Sequence, residues 1–194
     1  EGFSASITDD LDTVVGEWDI VATLNFNTPI ENMREAVEAE PRLRAQDFEA
    51  IGGSTKVPVG VRQVDGDDQR WRDYAVRLVD DGYLNAAQFR FKLIADGYET
   101  PQDVWQALGA DPTLTVIEGI ALRTERESDG GFRPLKLEDL HYDDETMKPL
   151  DIEVREPRTD TLVPLTVIGV LDRIHESFEE FNGMIVSKAA LDDA

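Results

Sequence analysis

The stretch Leu150 to Leu171, LDIEVREPRTDTLVPLTVIGVL, holds two strands and the turn between them. Leu150 to Arg155 alternates apolar and charged residues, which marks a strand wetted on one face. Glu156 to Asp160 turns the chain, and Val163 to Leu171 (VPLTVIGVL) returns as a more apolar, better-buried strand. After a loop rich in Glu and Phe, Met184 to Val186 makes a short strand. Ser187 then stands where it would cap a last helix over Lys188 to Ala194. The final third therefore predicts strands packed against one another.

The first third predicts a matching set. In Glu17 to Phe26 (EWDIVATLNF), Ile20, Ala22 and Leu24 fall on one face and Val21 and Thr23 on the other, as in a strand. Thr28, Pro29 and Glu31 read as a helix start with cap, first-position proline and capping-box acid. Ile30, Met33, Arg34 and Val37 form the stripe of that helix, and Pro41 stops it. A second extended region runs from Phe48 to Val64, broken by Gly52-Gly53 and Pro58. Its partner, Trp71 to Val79, lies across the turn signal Asp65-Gly66-Asp67-Asp68.

The middle has another texture. Asp80-Asp81-Gly82 is a turn, and Tyr83 to Ile94 has Leu84, Ala87 and Phe91 at helical spacing. A second helix opens at Thr100 as cap, with Pro101 at its first position and Asp103 closing the box. Val104, Trp105 and Leu108 form its apolar face, and Gly109 ends it. Leu114 to Leu122 reads as a strand and Arg123 to Arg133 as a polar loop. The expected class is α/β (α+β). A discontinuous βαβ-type lobe would be built from residues 1–79 and 150–194, with a helical or mixed subdomain, 80–149, inserted between its halves.

Composition narrows the functions. Forty-one acidic residues against nineteen basic ones give a formal charge of -22. That field repels phosphate backbones, so no nucleic-acid partner is expected. Cysteine is absent, which removes thiol catalysis, thiolate metal sites and disulfides together. No apolar run approaches the roughly 20 residues of a membrane span. The chain starts at Glu1 without a Met or a signal-like segment, and its last helix has barely two turns. Both features read as those of a piece cut from a larger protein.

Each candidate site meets a plainer alternative. Gly52-Gly53-Ser54-Thr55-Lys56 lacks the spacing of a phosphate loop and leads into a strand, so it reads as a bulge or turn. His141, beside Asp139, Asp143, Asp144 and Glu145, lacks the convergent partners of a zinc site, and His175 lies in a charged loop. Asp65-Gly66-Asp67-Asp68 and Asp143-Asp144-Glu145 offer oxygens without the spacing of a calcium loop. Carboxylate pairs for glycoside hydrolysis need an aromatic-lined cleft, whereas Trp18 and Trp105 read as core anchors. No catalytic, cofactor-binding or metal-binding residue is therefore assigned.

As a whole, the layout resembles the extracytoplasmic (periplasmic-core) domain of FtsX-like, MacB-type ABC transporter permeases. Three stretches carry the likeness. Leu165 to Leu171 (LTVIGVL) is similar to the family's returning strand, and Gly183 to Ser187 (GMIVS) to the short strand and cap that follow. Gly97 to Trp105 (GYETPQDVW) is similar to a "GY…VW" element of such permeases. The resemblance implies a porter-like lobe with an insertion, at the extracytoplasmic face of a membrane. It also implies ATP and Mg on a separate cytoplasmic ATPase subunit, a second permease copy, and an external partner protein or a lipid or peptide substrate. The domain itself would be no enzyme and would hold no cofactor. The alternatives are a secreted sugar- or peptide-binding module and a carboxylate-based hydrolase.

Overall fold

The computed structural model describes residues 32–87, 89–123, 135–172 and 183–191. Asn32 opens the first helix, α1 (Met33–Ala39): its backbone is extended and its side chain accepts from the Glu35 amide. This helix therefore begins at Met33, because a residue with extended backbone at position 32 cannot lie inside it. Thr28, Pro29, Glu31 and the predicted strand from Glu17 to Phe26 lie outside the described residues. Pro41 follows the end of α1, as the sequence predicts.

Strands β1 (Ser54–Gln63) and β2 (Arg72–Val79) pair antiparallel across the Asp65–Asp68 turn. Pro58 does not interrupt β1. It pairs opposite Ala75, while the neighbour on the other side reaches only Gly60 to Gln63, so its missing N–H lies at an open edge. The predicted helix from Tyr83 to Ile94 is corrected. Asp80 caps a short α2 (Asp81–Ala86), and Phe91–Ile94 is a strand, β3. The β-branched and aromatic content at this end, together with an unfilled edge of the sheet, outweighs the helical spacing.

Helix α3 (Pro101–Ala110) has the predicted Thr100–Asp103 capping box, and its Val104, Trp105 and Leu108 are buried. Gly109 is a helical residue and not the stop. β4 (Leu114–Glu118) is shorter than the sequence suggested, because Gly119–Ala121 forms a 3-10 turn. β5 (Leu150–Arg155) and β6 (Leu162–Leu171) form the predicted hairpin. Ser187 is the last residue of β7 (Met184–Ser187), and the predicted final helix is a 3-10 turn over Lys188–Leu191, with 192–194 outside the described residues.

The architecture is mixed α+β, with more strand than helix. β6 pairs with β4 along one edge, and with β5 and then β3 along the other. Following the remaining pairs gives β6–β4–β7–β2–β1–β5 and back to β6, a closed ring of six strands with β3 as an appendage. β3 and β4 come from the middle of the chain, yet they hydrogen-bond to strands of its last third.

Register assigns the faces, since paired residues point the same way. Val61, Val154, Ile152, Leu165, Val167, Ile117, Met184 and Val76 follow one another around the ring on its inner face, and all are buried. Val116 and Ile185 point outward, on the side where α2, α3 and β3 pack. There Trp105 meets Phe91 edge-on at 5.4 Å and Phe89 at 6.2 Å. The apolar core is thus one cluster inside and beside the barrel.

Gly169, the glycine of VIGVL, is the seat of Phe91. A Cβ there would lie 2.6 Å from Phe91 Cε1. Gly169→Ala should therefore lower stability by about 1–3 kcal/mol through overpacking, read as an earlier midpoint in urea unfolding. An unchanged midpoint would contradict the packing described.

Candidate functional site

A cluster of charged residues lies at one mouth of the barrel. β1 and β2 are antiparallel, β2 and β7 parallel, and β7 and β4 antiparallel, so β1 and β4 end at the same mouth. There Asp67, Asp68, Arg70, Arg123, Glu138 and Asp139 line a cleft of about 410 Å³. Its charges are tied to one another. Asp68 binds Arg70 through Nε at 2.8 Å and Nη2 at 2.9 Å, and Arg72 at 2.5 Å. Those guanidiniums, with the Arg70 amide, hold the Asp68 carboxyl well below the usual range.

Glu138 accepts from the Asp67 and Asp68 amides at 2.6 and 2.9 Å, and these bonds lower its pKa as well. The amides of the Asp65–Asp68 turn thus face a carboxylate. Among the described residues no group of three or more His, Cys, Asp or Glu side chains is placed to hold a metal ion. His141 is exposed, and its amide donates to Asp144 Oδ2 at 2.8 Å. His175 and Trp18 lie outside the described residues.

The glycine stretch before β1 serves packing. Asp80 accepts from the Gly53 amide through Oδ2 at 2.9 Å and from the Tyr83 amide through Oδ1 at 2.8 Å. A side-chain carboxylate occupies the place where a phosphate loop would hold its anion. Cβ atoms at Gly52 and Gly82 would lie 2.6 Å from the Tyr83 backbone and 2.1 Å from the Ile51 carbonyl oxygen. The glycines let α2 lie directly on the start of β1.

Besides Glu138, two features escaped the sequence reading. Glu118, at the end of β4, is 8% exposed and accepts from Tyr74 Oη at 3.0 Å. Its only signal was a single acid in the apolar run from Leu114 to Leu122. Trp71 lies over Gly60, with the guanidinium carbons of Arg62 and Arg155 at 4.6 and 4.7 Å from its ring. Arg62 is paired with Glu153. This cluster is an outer-face brace between β1, β2 and β5. Trp105 is 3% exposed and fills the core as predicted, although its Nε1 has no hydrogen-bond partner among the described residues.

No family model matches the chain, and no curated protein does. Among solved structures, the chain is similar to the extracellular domain of the noncanonic ABC-type transporter YknZ from Gram-positive bacteria. The two are 14% identical with a TM-score of 0.42, over 86% of this chain and 66% of that one. The chain thus spans somewhat less than two thirds of that structure's length.

The Tyr74–Glu118 pair yields a pH prediction. Burial pushes the Tyr74 hydroxyl well above its ordinary value, and the charge of Glu118 adds to the shift. Unfolded tyrosine ionises near pH ~10. The stability this proton provides is therefore complete below that value and is lost as pH rises through the higher folded value. Subtracting the phenolate absorbance titration of Tyr74→Phe from that of the wild type should leave a component well above pH ~10. A difference centred on the ordinary tyrosine value would contradict the buried pair.

Proposed function

We propose that the chain is a non-catalytic extracytoplasmic domain of an ABC transporter permease, coupling ATP-driven motion of membrane helices to an external substrate or partner. The observation that carries this reading is where the three family-like stretches lie. LTVIGVL is most of β6, and GMIVS is β7 with the glycine before it. β4 runs between them and bonds to both. The GYETPQDVW stretch forms the cap and first turns of α3, which packs on β4 and β7. Its Trp105 meets Phe91, and Phe91 sits on Gly169 of β6. Residues dispersed over some 90 positions make one structural block.

Such a block suits a transmitting role. Coupling needs a body that keeps its shape while its surroundings change between states, and a ring of strands has few free edges at which to shear. In this reading residues 1–79 and 150–194 supply the porter-like lobe. The stretch 80–149 is an insertion by chain order whose strands share the lobe's sheet. ATP and Mg belong to a separate cytoplasmic ATPase subunit. A second permease copy, and an external protein, lipid or peptide, complete the assembly. No helix among the described residues is long and apolar enough to cross a membrane, so the spans would lie in adjoining sequence.

The test is made on the product of the complete gene. Its sequence should hold apolar runs of about 20 residues adjoining this domain, and the protein extracted from membranes should co-purify with an ABC ATPase subunit. A complete protein without such runs, or one that fractionates away from membranes, would overturn the proposal.

A further inference from the structure

The mouth of the barrel described above is crossed by a segment of chain. In the ring β6–β4–β7–β2–β1–β5, the strands β4 and β1 stand three places apart among six and therefore face each other. Residues 135–140 touch both sides. On the β4 side, the Leu137 amide donates to the Ala121 carbonyl at 2.8 Å and the Arg123 amide to the Leu140 carbonyl at 3.0 Å. Lys136 Nζ reaches the Leu122 carbonyl at 2.7 Å. On the β1 side, three bonds pass through Glu138. Its amide donates to Gln63 Oε1 at 2.7 Å, and its carboxylate accepts the Asp67 and Asp68 amides. Gln63 lies on the inner face at the very end of β1, opposite Ile152. Leu135, Leu137 and Leu140 are buried.

We propose that residues 135–140 are a strap closing this mouth as a separately opening unit, with Glu138 as its latch. The β4 side is the hinge, since its bonds come from three neighbouring carbonyl and amide positions within 121–123. The β1 side depends on one residue, Glu138, through its carboxylate and its backbone amide. Gly66 makes room for it: a Cβ there would lie 3.2 Å from the Glu138 carboxyl carbon. Asp139, next along the strap, has φ +61 and turns the chain back toward Arg123. The charged groups facing the latch are Asp67, Asp68 and Arg70 from the turn, Asp139 from the strap and Arg123 from the hinge side. Opening breaks the two bonds of the carboxylate and the Glu138 amide bond to Gln63 and bares the end of the barrel, and the leucines draw the strap back.

The inference is independent of the transport proposal, and it is tested on the domain by amide hydrogen exchange, expressed as protection factors. In Glu138→Gln at neutral pH, the amides of Asp67, Asp68 and residue 138 should lose protection about tenfold or more, as expected for loss of bonds to a charged acceptor. Those of Val167 and Val170 in β6 should be unchanged. In the wild type the same three amides should lose protection in acid. The lowered carboxyl pKa means that the latch holds above the ordinary glutamate range and releases as pH falls through its folded value. Gly66→Ala, which crowds the carboxylate but keeps its charge, should loosen these amides and preserve the acid response. Unchanged protection in Glu138→Gln would overturn the latch. Loss only in step with the β6 amides would overturn the strap as a separate unit.

Discussion

The structure depends on β6 being hydrogen-bonded along both edges. One edge takes β4, and the other is divided between β5 and β3, so a ten-residue strand joins three others. Without the β5–β6 pairs the sheet would be open, with β5 at one end and β3 at the other. With them, β5 closes the ring and the inner residues bury one another. From Thr166 onward the strand is flanked on both edges, and its last residues, Val167 to Leu171, are buried. This is why VIGVL reads as a continuous apolar run with no alternation.

The same constraint explains the glycine in that run. On the outer side of β6 the covering element is an aromatic ring and not a helix, because Phe91 from β3 and Trp105 from α3 meet there. The Phe91 ring comes this close to the strand because no Cβ intervenes at position 169. Position 169 also adjoins the register shift between β4 and β6, where Thr115 pairs with Val167 but Val116 with Gly169. The extra residue, Ile168, increases the local bend needed to close a small barrel. Strand, glycine and bulge thus form one arrangement.

Much of this was legible in the sequence because it is local. The alternation of LDIEVR, the Thr100–Asp103 capping box and the Asp65–Asp68 turn are decided by neighbours within a few residues, and each stands as read. The readings that changed were decided by distant partners. Phe91–Ile94 has a helical neighbourhood but pairs with β6, some 75 positions away, and no local signal reports an open edge. Asn32, which the sequence reading passed over, caps the helix Met33–Ala39. Ring closure could not be read at all, since pairing order leaves no periodic trace. Of the polar groups at the mouth, Glu118 was foreshadowed by its apolar surroundings. Glu138 was not, because its partners are backbone amides some 70 residues earlier.

β6 is therefore the shared strand of a closed ring. The most direct test is the pattern of backbone nuclear Overhauser effects around Val167, which pairs with Leu150 on one side and Thr115 on the other. Cross-strand effects to the neighbourhoods of both residues, in one folded species, are the result the account predicts. Effects from Val167 to only one of these two neighbourhoods would show an open sheet and contradict it.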